Sequence, residues 1–315
     1  MADRQALEAL KKESMRVYYQ RAVEGRTTPA FIHNGGYYYI DMPVYEDGTV
    51  SCWKEAPLAD ISRIIQSGWL TPSVPNGEML TVHGLSAFRV QNARWNHTVN
   101  DFFEYLLTLV KSMNSEMQGI YAESDEKKKR WEKYRVEWSA RGTPFSLSGD
   151  DGYIRQDGKA THIFTAFDGI VRLDNITAFA NGTYAIDHLG MITEDELKSQ
   201  MMQNLIFTSP PLNVPIHLGT LGIVEASEIS WEVSAGEKWK EIFDYKNELN
   251  NKPTASAAAV SAYHAYLEHP TDKSKETLRA AYEAVPEHER MYLGDMDSKD
   301  WDYQRILYSN GKRQV

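Results

Sequence analysis

The sequence predicts an α+β protein: two diverged copies of one hairpin-helix-strand-helix module, with an N-terminal helix and a C-terminal helical pair. Three observations carry this reading. Turn dipeptides recur at a constant offset, since Asn34-Gly35 and Asp47-Gly48 are followed 134 residues later by Asp168-Gly169 and Asn181-Gly182. Trp95 recurs as Trp231 at an offset of 136. A run of helical period follows each Trp. In the first copy Val99, Phe102, Phe103, Leu106, Leu107, Val110 and Met113 make one apolar stripe. Their counterparts are Ala235, Lys238, Trp239, Ile242, Phe243, Lys246 and Leu249, all apolar but the two lysines.

The elements follow in order. Residues 1–28 read as a helix with Leu7, Leu10, Ser14 and Val17 on one side, broken at Arg26-Thr27-Thr28-Pro29. Residues 29–117 form the first copy. Asn-Gly and Asp-Gly supply the positive φ angles of tight hairpin turns, and strand-forming Tyr37, Tyr39, Val44 and Tyr45 lie between them. A short helix over Leu58–Ser67 comes next, then one or two strands, then the long helix. Residues 118–149 read as a helical connector, with Trp131, Tyr134 and Trp138 as its buried side and Lys127, Lys128, Lys129, Arg130, Lys133 and Arg135 in solvent. Residues 150–250 form the second copy, with Asp-Gly turns first and a short helix over Glu194–Gln203. Residues 251–315 are helical: Thr254–Glu268 stops at Pro270, Thr271 caps the next helix, Pro286 ends that one, and a final turn or short helix spans Lys299–Tyr308.

Composition narrows the function classes. Lys plus Arg is 34 and Asp plus Glu is 44, a formal charge of −10. Nucleic-acid affinity comes largely from cations that displace counterions, so nucleic acid is disfavoured as a partner. Anionic membrane surfaces are disfavoured for the same reason. A basic protein partner is favoured, although solubility alone also explains the charge. The single cysteine, Cys52, permits no intramolecular disulfide and no thiolate cluster. No apolar run has the length of a signal peptide or a membrane span, and the expected compartment is the cytoplasm.

No nucleophile elbow, P-loop, dinucleotide fingerprint or HExxH pattern is present, and no cofactor is expected. The densest acidic cluster is Asp295, Asp297 and Asp300 beside Trp301. Carboxylates at alternate positions can meet one hard cation, but Lys299 stands inside the loop and Asp300 stands where an EF-hand needs glycine. Helix capping is the plainer account. Glu287-His288-Glu289 after Pro286 reads as a pH-sensitive cap or as plain surface. Among eight Trp and eighteen Tyr, Tyr18-Tyr19, Tyr37-Tyr38-Tyr39, Trp53, Trp69, Trp95 and Trp231 stand out; exposed ones would make a binding surface for proteins or sugars, but core packing is the plainer account, above all for Trp95 and Trp231 just before helices. The expected function is therefore a non-enzymatic binding or regulatory protein, an acidic neutralising partner of a basic protein, bound through Asp295, Asp297, Asp300 and Trp301. One alternative is a small-molecule or glycan receptor with its site between the two copies. A second is a metal-dependent hydrolase using Asp295, Asp297 and Asp300.

Overall fold

The structure is a computed structural model and describes residues 16–19, 25–118, 120, 135–138, 158–294 and 299–308. The fold class expected from sequence is overturned. Fourteen strands among the described residues join one mixed sheet, so the protein is sheet-rich rather than a pair of hairpin-helix-strand-helix modules. The expected N-terminal helix is also corrected. Arg16–Tyr19 is a strand, β1, and it pairs antiparallel with β9, Arg135–Trp138, inside the expected helical connector. Residues 1–15, 20–24 and most of the connector lie outside the described residues.

The large sheet follows one order of pairings twice. In the first run β2 (Gly25–His33) pairs with β3 (Tyr37–Tyr45), β3 with β4 (Thr49–Cys52), and β4 with β5 (Lys54–Pro57). Helix α1 (Leu58–Gln66) follows. Then β6 (Leu70–Thr71) returns to β2, and β7 (Met79–Val82) runs parallel to β3 and antiparallel to β8 (Ser86–Trp95), before α2 (Val99–Met113). In the second run β10 (Gly158–Phe167) pairs with β11 (Ile170–Phe179), β11 with β12 (Thr183–Ile186), and β12 with β13 (Gly190–Thr193). Helix α3 (Glu194–Met202) follows. Then β14 (Ile206–Phe207) returns to β10, and β15 (Pro215–His217) runs parallel to β11 and antiparallel to β16 (Gly222–Glu232), before α4 (Ala235–Leu249). The two runs meet where β8 pairs antiparallel with β16.

Local chemistry explains the turns. Asp168 and Gly169 hold φ of 53° and 73°, which closes β10 onto β11 in two residues. Asp47 accepts from the Thr49 N–H at 2.9 Å, and Asn181 accepts from the Thr183 N–H at 3.0 Å. The same side-chain turn thus serves both hairpins. Thr98 with Asp101 and Thr193 with Glu196 form reciprocal caps on α2 and α3.

The chain divides into two compact units. The first takes residues 1–140, 164–174 and 209–232; the second takes 141–163, 175–208 and 233–315. The first unit buries Phe31, Ile32, Met42, Leu80, Phe88 and Val90 with Phe102, Leu106 and Val110 of α2. Phe88 and Phe164 meet edge to face at 6.2 Å. Cys52 is buried here, and burial pushes its thiol above the usual range, which makes it inert rather than nucleophilic. The second unit buries Ile176, Tyr184, Ile186, Leu197 and Ile242. Its C-terminal helices α5 (Ala255–Glu268), α6 (Asp272–Ala284) and α7 (Trp301–Tyr308) close over Ala259, Leu278, Tyr282, Val285, Tyr303 and Leu307. No helix among the described residues is long and apolar enough to cross a membrane.

The β8–β16 seam needs a glycine at one end. Gly222 lies opposite Trp95 with φ of 144°, and a Cβ there would stand 2.2 Å from the Arg94 carbonyl oxygen. Gly222→Ala is expected to lower stability in urea unfolding by about 2–3 kcal/mol, the range of backbone strain plus a displaced strand end. A nearby surface change such as Arg94→Ala should stay within about 0.5 kcal/mol.

Candidate functional site

Two features depart from ordinary local chemistry. The first is an aromatic ridge on the first unit. Strands β4 and β5 are joined so tightly that Cys52 pairs with Lys54, which leaves Trp53 alone at the tip. Trp53 holds φ of 58°, a left-handed conformation that a bulky side chain resists. Its indole is nonetheless 57% exposed. The Tyr38 ring of β3 lies 5.5 Å from it and the Trp69 ring 6.0 Å, the two indoles standing at 83°. Trp69 is placed by its carbonyl, which accepts from the His33 N–H at 2.8 Å and so extends the β2–β6 pairing. The Lys54 ammonium lies 5.9 Å from the Trp69 ring centre. The rings are set at 55° and 83° to one another and do not make one flat platform.

The second feature is a charged cluster inside the second unit. Lys238 and Glu241 lie one turn apart on α4, and both are buried. The Lys238 Nζ lies 3.1 and 3.0 Å from the two Glu241 carboxylate oxygens and donates to Thr161 of β10 at 2.6 Å. The Tyr245 hydroxyl, one turn further along α4, donates to Glu241 at 2.7 Å. His288 arrives from the 3₁₀ helix Glu287–Tyr292, and its Nε2 meets Glu241 at 2.8 Å. Glu289 follows it on the same short helix, with a ligand atom within 4.8 Å of those of Glu241 and His288. The backbone N–H of Glu287 donates to Glu237 at 2.8 Å, which fastens this turn to α4.

The electrostatics follow from that geometry. Burial pushes the Glu241 carboxyl up, but the His288 hydrogen bond, the Lys238 charge and the bonds from Tyr245 and Thr161 outweigh it and bring its pKa to about 2. Burial first, and then Glu241, raises the Tyr245 phenol and the Glu289 carboxyl. Asp244, also on α4, is raised by burial and bonded to the Ala255 N–H at the start of α5.

Of the residues singled out from sequence, Glu287-His288-Glu289 falls in the charged cluster, where His288 meets Glu241, and the acidic group near the C-terminal helix falls elsewhere. Asp295 and Asp297 lie outside the described residues. Asp300 is buried at the start of α7, where it accepts from the Tyr282 hydroxyl at 2.6 Å and from Gln304 at 3.0 Å. Trp301, next to it, is 72% exposed. Trp95 is half-buried and donates to the Val74 carbonyl at 3.1 Å, whereas Trp231 is 41% exposed. Sequence reasoning passed over Lys238 and Glu241. The available signal was a lysine on the buried stripe of α4, with a carboxylate at i+3 and a phenol at i+7.

Comparison with protein families gives two matches. A model described as a domain of unknown function (DUF7638) matches residues 13–117 and 151–253. A second, described as a domain of unknown function (DUF7639), matches residues 254–315. The boundary between them falls at Thr254, the residue that caps α5. No curated protein and no solved structure matches the chain.

Breaking the buried pair from one side leaves a charge without its partner. Lys238→Met is expected to cost about 3–5 kcal/mol in urea unfolding at neutral pH. The pH dependence has a definite sign. Glu241 titrates at about 2 in the folded chain, against 4.5 ordinarily, so on acidification the unfolded chain takes up the proton first. Its stabilising contribution is complete above about pH 4.5 and is lost as the pH falls through about 2. Thermal unfolding between those limits should therefore fall more steeply in the wild type than in Glu241→Gln.

Proposed function

This chain belongs to the DUF7638 family, and we propose that it is a non-catalytic binding protein that engages a basic protein partner through the Tyr38–Trp53–Trp69 ridge. The observation that carries the reading is Trp53. A tryptophan at φ of 58° is disfavoured by about 1–2 kcal/mol where glycine would sit freely. It gains little burial in return, since more than half of it faces solvent. A strained, exposed, aromatic-flanked indole fits recognition better than core packing.

Charge supports the choice of partner. The chain carries −10, which draws cationic surfaces towards it. Indole faces attract ammonium and guanidinium groups, and Lys54 over Trp69 already makes such a contact within the chain. The perpendicular setting of Trp53 and Trp69 offers slots for side chains rather than the flat face that a sugar ring stacks on.

The test separates recognition from folding. Trp53→Gly relieves the left-handed strain, so its melting temperature should equal or exceed that of the wild type. Titration with a synthetic arginine-rich peptide should quench tryptophan fluorescence of the wild type, while a glutamate-rich peptide of equal length does nothing. In Trp53→Gly the affinity should drop by about 10-fold or more, as for the central residue of an interface. Unchanged binding in that variant, or a marked loss of stability, would mean that Trp53 is a packing residue and the ridge is not the docking surface.

A further inference from the structure

We infer that the 3₁₀ helix Glu287–Tyr292 is a pH-operated latch: it holds the C-terminal helices against α4 in mild acid and loosens as Glu289 ionises beside Glu241. The turn travels with the C-terminal helices. Arg290 donates to the Val285 and Glu283 carbonyls at 3.0 and 3.2 Å, which ties the turn to the end of α6. Those helices pack around a core of their own, with Leu278, Tyr282, Val285 and Tyr303 at its centre. The contacts that clasp α4 are polar. The Glu287 N–H donates to Glu237 at 2.8 Å, His288 Nε2 meets Glu241 at 2.8 Å, and the Ala255 N–H donates to Asp244 at 2.9 Å. Three carboxylates of α4 thus receive the C-terminal segment, and charge-assisted bonds of this kind respond to any further charge placed among them. The two family matches divide at the same place, between α4 and α5.

Glu289 supplies that charge. One of its carboxylate oxygens lies within 4.8 Å of the Glu241 carboxylate, and the side chain makes no hydrogen bond or ion pair among the described residues. Once ionised it meets like charges on α4, Glu241 first and Asp244 with it. The cations facing it are engaged elsewhere. Lys238 holds Glu241 at 3.0 Å, Lys159 of β10 holds Glu248 at 2.7 Å, and Arg290 is spent on carbonyls. Tyr245 of α4 and Tyr292 of the turn also face Glu289, and both phenols are raised, so they stay neutral. The His288 ring is spent at Nε2, and a second proton would sit at its buried Nδ1, which has no partner among the described residues. Glu289 is therefore the group that responds. Burial and Glu241 raise its carboxyl, while Glu241 is brought to about 2, so the two facing carboxylates share one proton. The sign follows. Latched Glu289 holds its proton more tightly than free Glu289, so its contribution to closure is complete below the ordinary value of 4.5 and is lost as the pH rises through the raised one. Glu241 works the other way and fails only as the pH falls through about 2. Closure is tightest in the mildly acidic band between them.

The latch is independent of the aromatic ridge, and so is its test. Amide hydrogen exchange of the full chain is followed by mass spectrometry at about pH 5 and about pH 8, with rates corrected for the intrinsic effect of pH. In peptides covering Glu287–Tyr292 the protection of the wild type should fall by about 10-fold between the two, the effect of one pK unit on a single group. Peptides from α1 in the first unit should keep their protection. Glu289→Gln is the decisive variant, because it removes the charge and no hydrogen bond among the described residues. Its protection at the higher pH should match that at the lower, and its melting temperature at the higher pH should equal or exceed that of the wild type. Protection that does not change with pH in the wild type overturns the assignment. So does an equal fall in Glu289→Gln, which would move the responding group to His288, and so does a marked loss of stability in that variant, which would make Glu289 a packing residue.

Discussion

The antiparallel pairing of β8 with β16 is the constraint on which the large sheet depends. Among the described residues every other pairing in that sheet belongs to one of two runs, and only this ladder joins them. The strands are long, ten and eleven residues, and their register shifts three times along the way. One shift is visible in the chain itself, where Asn92 adopts φ of 48° and adds a residue to β8 between Gln91 and Arg94. The exposed Arg89–Glu228 pair across the ladder contributes little in water. Cohesion comes from backbone hydrogen bonds and from the buried face that Phe88, Val90, Val224 and Ala226 present.

The second unit is organised by a buried charge. Taking a lysine and a glutamate out of water is costly unless each finds partners, and here each finds several. Lys238 reaches from α4 to Thr161 on β10, and Glu241 reaches from α4 to His288 on the 3₁₀ helix. The pair therefore ties three elements together at defined positions. Apolar contacts in the same place would tolerate slippage, whereas a fully used carboxylate accepts only one arrangement. A separate apolar core holds the C-terminal helices, with Asp300 as its polar pin on Tyr282.

The two units thus break local rules in different ways. At Trp53 the cost lies in the backbone, and the side chain is left open to solvent. At Lys238 the backbone is an ordinary helix, and the cost lies in desolvation. Sequences that fold well are locally consistent, and departures gather where something other than stability is selected. Each departure has a matching chemistry: an open indole beside a cation in one unit, and excess carboxylate around a histidine in the other.

Much of this was legible in the amino-acid order, because it depends on neighbours in the chain. Asp47, Asp168, Gly169 and Asn181 place the hairpin turns through their own φ angles and side-chain bonds. Thr193, Thr254 and Thr271 start helices by bonding N–H groups three residues on. Helical spacing finds α2, α4 and α6 for the same reason. The sheet was not legible, since β2–β6, β3–β7 and β8–β16 join segments far apart in the chain, and a two-residue strand such as β6 has no period to read. Nor was the cluster around Glu241, where α4 supplies Lys238, Glu241 and Tyr245 but Thr161 and His288 come from about eighty residues before and fifty after. Sequence alone determined the turns, the caps and the apolar faces of the helices, because those interactions close within a few residues. Tertiary structure alone decided which strands pair, which lysine is buried and which tryptophan stays in solvent, because each follows from what distant segments leave uncovered.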